Sequence, residues 1–352
     1  MPREIKHLAI IRLSAMGDVA MTVPVIRAFA HQYPKVKITL ISRPFFKPFF
    51  EGIPNITFFE FDAQERHKGL IGLIRLFLDL KRLKIDAFAD LHNVLRSKII
   101  RVLFALSGKT IAYTDKGRAE KKALTRPENK VFLPLKPMFE RHAMTFKKLG
   151  FNVDLLQPVF PEKPALSPTI LNVIGEKNQT INTNLIGVAP FAQYESKVYP
   201  ADLMQQVIDI LAAHEEYKIL LFGGGKKEIA ILEGFAQGKK NVITIAGKIQ
   251  FQEELQLISH LDVMLAMDSG NGHIAAMLGV KVVTLWGATH PFAGFAPFNQ
   301  PLENALVSDR DQFPKLPTSI YGNKKVEGYE DAMRTIPVAM IVEKIKMKLE
   351  ES

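Results

Sequence analysis

Short runs of β-branched and aliphatic residues alternate with amphipathic stretches of helical period along nearly the whole chain. That order is compatible with little except parallel sheets covered on both faces by helices. KHLAIIRL (6–13) is a strand candidate, followed by the turn SAMGD and an apolar-periodic helix from Val19 to Phe29. VKITLIS (36–42) is the next strand, so the chain opens on a βαβ unit. ITFFEF (56–61) and AFADL (87–91) add strands. GLIGLIRLFLDLKRLK (69–84) reads as an apolar helix with basic punctuation, expected to be buried against a sheet rather than to lie on a membrane. Pro24 predicts a kink in the first helix unless that helix begins later.

The segment PVFPEKPALSP (158–168) holds four prolines, a density that marks an extended boundary. Beyond it the pattern restarts. NLIGVAP (184–190), YKILLFGGG (217–225), VITIAG (242–247), LDVMLAMDSG (261–270) and KVVTLWGAT (281–289) are strands running into turns, with helices between them such as ADLMQQVIDILAAH (201–214). A chain of 352 residues exceeds what one core supports. Two doubly wound α/β domains are therefore expected, 1–160 and 161–337, with a closing amphipathic helix at 338–352 that is a candidate to pack back on the first. Ligands in such sheets sit at the carboxyl ends of strands near helix N-termini, and the crevice between the halves is the natural active site.

The chain has no cysteine, which excludes disulfides, thiolate metal sites and thiol nucleophiles. The N-terminal apolar run is too short for a secretory signal, and no apolar run is long enough to span a bilayer, so a cytoplasmic location is expected. Charge is uneven: residues 1–160 carry 28 Lys and Arg against 14 Asp and Glu, and residues 161–352 carry 18 against 22. Such asymmetry suits a first domain that meets an anionic partner, whether nucleic acid, lipid headgroups or an acidic sugar, though a merely solvated basic surface has the same composition. Nucleic acid is the poorer fit, since neither zinc-finger spacing nor an RNP-type aromatic pattern occurs.

Three segments carry possible chemistry. In Ser14-Ala15-Met16-Gly17-Asp18, Gly17 permits a close backbone approach or a positive φ, and Asp18 is either a helix cap or a general base. In Asp268-Ser269-Gly270-Asn271-Gly272-His273, a strand ends in a small-residue turn that opens a helix, a geometry that converges backbone N–H groups on an anion; a capped helix with a satisfied histidine is the bland alternative. It is not a Walker A loop. In the loop after NLIGV, Lys197 can supply a point charge to a diphosphate, or can be a solvated lysine. Gly223 to Gly225 and Gly247 end strands of the same half, where a base or ribose can rest on backbone. Asp309 and Asp311 imitate a metal-binding Asp-x-Asp pair but read as a solvated loop, and the nine histidines show no ligand spacing.

Taken together, RLSAMGDVAMTVPVIRAF, FAQYESKVYPAD and NVITIAGKIQFQEELQLISHLDVMLAMDSGNGHIAAMLGVKVVTLWGATHP resemble glycosyltransferase family 9, whose best-known members are the ADP-heptose:lipopolysaccharide heptosyltransferases. The resemblance implies the GT-B fold, with two Rossmann-like domains, inversion at the anomeric carbon, and no catalytic metal or other cofactor. It implies Asp18 as general base, with Gly17 in its positioning loop. It implies donor binding by Lys197, Gly247, Asp268, Ser269, Gly270 and His273. The implied partners are ADP-heptose and an acidic glycolipid acceptor, with peripheral contact at the cytoplasmic face of the inner membrane and no role for nucleic acid. Two departures stand out: Asn271-Gly272 precedes the histidine, and Val198-Tyr199-Pro200 replaces a frequent Trp-Pro. Transfer of another nucleotide-activated sugar to a different envelope glycan, or a catalytically idle nucleotide-sugar binder, are the alternatives.

Overall fold

The first strand is buried at all five positions, as befits a strand with helices on both sides of its sheet. In the computed structural model, which describes residues 4–175 and 183–351, the chain runs through β1 (His7–Ile11), α1 (Met16–Ala20), α2 (Val23–Gln32), β2 (Lys37–Ser42), β3 (Ile56–Glu60), α3 (Gly69–Arg82), β4 (Ala87–Asp90), α4 (Leu95–Leu106) and β5 (Thr110–Tyr113). After α5 (Arg118–Thr125), α6 (Met138–Lys147) and α7 (Pro168–Ile174) come β6 (Asn184–Ala189), α8 (Ala201–Ala212), β7 (Tyr217–Leu221), α9 (Gly225–Ala236), β8 (Val242–Thr244), α10 (Phe251–Ile258), β9 (Val263–Met267), α11 (Gly270–Met277), β10 (Lys281–Trp286), β11 (Ala305–Val307) and α12 (Val338–Glu350).

Two compact units result. One is the chain up to Gly117 together with Lys136–Phe160; the other is Arg118–Leu135 with the chain from Pro161 onward. The first holds a parallel sheet ordered β3-β2-β1-β4-β5, the second a parallel sheet ordered β11-β10-β9-β6-β7-β8. In each sheet the strand order reverses once, between β1 and β4 and between β6 and β9. These are the positions where α/β sheets open a crevice at their carboxyl edge.

Three expectations change. The helix read from Val19 to Phe29 is two helices: Thr22 Oγ1 turns back to the Val19 carbonyl at 2.7 Å, and α2 begins at Val23. Pro24 thereby falls in a first turn, where its missing N–H costs nothing, and no kink is needed. Residues 118–135, expected in the first domain, belong to the second unit. Lys130 Nζ donates to the carbonyls of Leu124, Lys315 and Pro317 at 3.2, 2.9 and 2.7 Å, and Leu135 N donates to the Phe292 carbonyl at 2.9 Å. The closing helix, a candidate to pack on the first domain, instead buries Ile341, Val342, Ile345 and Leu349 in the core of the second unit, beside Val207, Leu211, Val263 and Val283. Its apolar face continues the surface offered by α8 and the second sheet.

α3 departs from the expected burial as well. Leu73, Leu76 and Leu80 pack in the first core, while Ile71, Ile74 and Leu78 remain exposed. Asp309 uses its carboxylate within its own turn, accepting from Asp311 N at 2.7 Å and Gln312 Nε2 at 2.7 Å.

Candidate functional site

In the first unit the chemistry gathers where β1 and β4 end side by side. Arg12, one residue past β1, is buried, and its guanidinium spans the reversal point. Nη1 donates to the Leu91 carbonyl at 2.7 Å, and Nη2 lies 2.7 Å from Asp18 Oδ2. Asp18 is the third residue of α1, whose N-cap is Ala15. Its Oδ2 also accepts from Ala15 N, but at 3.4 Å, a marginal capping bond. The strong contact is therefore with Arg12, and 37% of the Asp18 side chain stays open to solvent. A half-exposed carboxylate held by a rigid guanidinium fork is oriented for a ligand to a degree that a simple cap does not require. Gly17 lies in α1 and is absent from the glycines with positive φ, so of its two possible uses the left-handed one is not taken.

Sequence reasoning missed two neighbours, Arg12 and His92. His92 follows β4, is 7% exposed, and places Nε2 3.4 Å from Ser14 Oγ. Its Nδ1 is buried with no hydrogen-bond partner among the described residues. Burial, helped by the charges of Arg12 and Lys116 and opposed by Asp18, pushes its pKa down to about 3, so the ring is neutral at physiological pH. The turn that carries it is set by Asp90, whose fully buried carboxylate accepts from His92 N at 3.0 Å and Asn93 N at 2.7 Å and pairs with Arg101 at 3.2 Å. Burial raises the Asp90 pKa against the pull of these partners. The one sequence signal was a His-Asn pair directly after a strand. Its nearness to Asp18 depends on the β1–β4 pairing, which local pattern does not encode.

In the second unit the matching reversal point lies between β6 and β9. Lys197, in the short helix Glu195–Lys197, donates from Nζ to the Asp268 carbonyl at 2.5 Å and approaches Asp268 Oδ2 at 3.2 Å. An ammonium has three donor hydrogens, and Asp268 engages two directions of the group. Ser269, the N-cap of α11, makes no side-chain capping bond, and its Oγ is buried without a partner among the described residues. Gly270 opens α11, and His273 is buried within it. The sequence thus places Lys197, Asp268, Ser269, Gly270 and His273 in one neighbourhood. Gly247, with φ +77°, follows β8, three strands from β9 on the same carboxyl edge. Tyr199 is a core anchor: its hydroxyl donates to the Ile336 carbonyl at 2.6 Å, and burial pushes its pKa up to about 12. No group of three or more His, Asp or Glu among the described residues lies where it could hold a metal ion.

Two glycines clamp the Lys197 loop. A Cβ on Gly287 would lie 2.5 Å from the Ser196 carbonyl and 2.6 Å from Met333 Sδ. Gly322 has φ +84°, and a Cβ there would sit 2.7 Å from Lys197 Cγ. Ser196 further bonds the Gly322 carbonyl through Oγ at 2.7 Å and accepts from Ala288 N at 3.1 Å. Gly287→Ala is expected to cost about 1–3 kcal/mol through overpacking against the Ser196 carbonyl and Met333. Urea unfolding checks this.

Acid sensitivity follows from two buried histidines. His92 is held near 3, and burial with Arg310 and Lys130 holds His290 near 4, against the ordinary 6.5. Unfolding releases both to titrate normally, so the unfolded chain binds more protons between those values. Their contribution is complete above about pH 6.5 and is lost as pH falls toward 4 and 3, with a slope of up to about 1.4 kcal/mol per pH unit for each ring. Between pH 7 and pH 5 the urea midpoint of His290→Gln should fall less steeply than that of the parent.

The family model described as glycosyltransferase family 9 (heptosyltransferase) matches residues 73–324. The lipopolysaccharide core heptosyltransferase OpsX of Haemophilus influenzae is 25% identical over 346 residues, covering 97% of this chain and 96% of that protein. Among solved structures, a glycosyl transferase family 9 protein from Veillonella parvula superposes with a TM-score of 0.74 at 20% identity, covering 100% of this chain and 99% of that one. An E. coli ADP-heptose lipopolysaccharide heptosyltransferase II gives a TM-score of 0.67 at 19% identity, with 99% and 100% covered.

Proposed function

The chain belongs to glycosyltransferase family 9, with the two-sheet α/β architecture of GT-B enzymes, and from that premise we propose that it moves heptose from ADP-heptose to a hydroxyl of the lipopolysaccharide inner core, inverting the anomeric centre without a metal ion. The observation that carries the reading is the pairing of Lys197 with Asp268 beside the unpartnered Ser269 hydroxyl, at the strand-order reversal of the second sheet. This is an anion site by the logic of helix N-termini and buried ammonium groups.

In the proposed reaction the acceptor oxygen attacks the anomeric carbon while the bond from that carbon to the diphosphate oxygen breaks. Asp18 takes the hydroxyl proton, oriented by Arg12. Lys197, Ser269 and the opening of α11 at Gly270 stabilise the departing ADP, with Asp268 holding the lysine in place and His273 adding a donor. Gly247 lies along the nucleotide. The first unit keeps 23 Lys and Arg against 12 Asp and Glu after residues 118–135 are assigned to the second. That excess suits an acidic glycolipid acceptor and leaves nucleic acid without a specific reader. We place the enzyme in the cytoplasm.

The test is release of ADP from ADP-heptose in the presence of a heptose-deficient endotoxin acceptor, run beside other nucleotide-sugars. Turnover with ADP-heptose alone is expected. Preference for a different nucleotide-sugar would overturn the donor assignment, and ADP binding without turnover on any acceptor would make the protein a binder.

A further inference from the structure

Three segments of the second unit meet beyond the carboxyl end of β10: the stretch Arg118–Leu135, the turn after β10, and the loop at 309–317. The first brings Phe132 and the turn brings His290 and Phe292. These three rings pack together, with centroids 4.9 Å apart for Phe132–His290 and Phe132–Phe292 and 4.5 Å for His290–Phe292. The loop brings Arg310, whose guanidinium carbon lies 3.5 Å from the centre of the Phe132 ring. Arg310 Nε donates to the Leu316 carbonyl at 3.0 Å. Stacking and that bond hold the guanidinium in place, and its Nη1 and Nη2 hydrogens have no acceptor among the described residues.

His290 adds a further donor. It is 7% exposed, and its Nδ1 accepts from Phe292 N at 3.1 Å, which assigns the ring proton to Nε2. That Nε2–H has no acceptor among the described residues. A donor on a side chain this buried ordinarily has a partner.

The charge around these donors is one-sided. Lys130 Nζ meets three carbonyls and no carboxylate. Burial and the Arg310 charge push its pKa down to about 8, and both cations depress His290. Asp309 and Asp311 flank Arg310 in sequence, but Asp309 is engaged by Asp311 N and Gln312 Nε2, and neither pairs with Arg310 among the described residues. Two cations held close without a counter-charge repel each other, and a bound anion removes that cost. A guanidinium fork beside an imidazole N–H suits phosphate oxygens, and two positive charges match a dianionic phosphate better than a single carboxylate.

We infer that Arg310, His290 and Lys130 form a phosphate-binding site of the second unit, with the Arg310 fork and His290 Nε2–H donating to the phosphate oxygens and Lys130 contributing its charge. Lys130 acts through space because its donors are already taken by carbonyls. The site shares no residue with the Lys197–Asp268 pair, and it holds whatever sugar the enzyme transfers.

The test is calorimetric titration of the full chain with inorganic phosphate and with glucose 6-phosphate, each with and without saturating ADP. One phosphate per chain should bind, equally well with ADP present, and the tighter of the two ligands tells whether the site takes free phosphate or a phosphate carried on a sugar. Arg310→Gln should weaken binding by about 10- to 100-fold. Arg310→Lys, which keeps the charge and loses the fork, should weaken it less. His290→Phe retains the ring packing and removes the Nε2 donor, so a loss of about fivefold is expected even where Arg310→Gln folds poorly. ADP affinity should stay as in the parent in all three. The inference is overturned if the parent binds neither ligand, if ADP displaces the phosphate, or if either Arg310→Gln or His290→Phe binds it as tightly as the parent. The titrations without ADP decide the matter even if the donor proves to be another nucleotide.

Discussion

Asp18→Asn is expected to lower kcat for sugar transfer by about 10²- to 10⁴-fold, the usual range for removing a general base, with the donor KM little changed. Asparagine keeps the shape of the side chain and removes the charge that would accept the acceptor proton. A second effect must be separated from this one. Arg12 is 3% exposed at its side chain, and Asp18 is its ion-pair partner at 2.7 Å, so the variant leaves a buried guanidinium with the Leu91 carbonyl alone. Because Asp18 is itself partly solvated, the stability loss should be well below the value for a fully buried pair. Arg12→Lys supplies the control. It keeps a positive charge but lacks the fork that reaches both Leu91 O and Asp18, so a milder loss in kcat with unchanged donor affinity is expected. Near-parental kcat in Asp18→Asn would remove Asp18 as the base, whatever its effect on folding.

Lys197→Met should cost about 10²- to 10³-fold in kcat/KM, the scale of losing one preorganised donor to a developing negative charge. It should also destabilise the fold. The Lys197 and Asp268 side chains are 11% and 10% exposed, and removing one member of a pair this buried typically costs about 3–5 kcal/mol because the other charge is stranded. The double variant Lys197→Met with Asp268→Asn distinguishes the two roles. Removing both charges should recover much of the lost stability and none of the activity. If activity returned with stability, Lys197 would be a structural lysine and the anion site would need another cation.

Much of the fold was legible because its information is local. The period-two and period-3.6 patterns identify β1, β2, β6, β9 and β10 and the helices between them, and the turn residues after β9 announce α11. What could not be read was lateral order. Nothing in HLAII or AFAD states that β1 and β4 are neighbours, yet that adjacency is what brings Arg12, Ser14 and Asp18 to Leu91 and His92. The same holds for Lys197 and Asp268, which meet across the β6–β9 contact. Arg12 was hidden for a further reason: it lies inside the strand-like run KHLAIIRL, where it passes for one more strand residue, although β1 ends at Ile11. β11 has only three residues and was invisible to periodicity, and residues 118–135 carry a basic composition that matches the domain they leave rather than the one they join.

That last segment has a practical consequence. Because Arg118–Leu135 leaves the first unit, is clasped through Lys130 by the carbonyls of Lys315 and Pro317, and then returns, the polypeptide passes between the units three times. A gene cut after codon 160 would release a C-terminal fragment without its strap and an N-terminal fragment carrying an orphaned basic segment that includes α5. Independent expression of either half calls for grafting codons 118–135 onto the downstream piece and joining residue 117 to 136 in the upstream one.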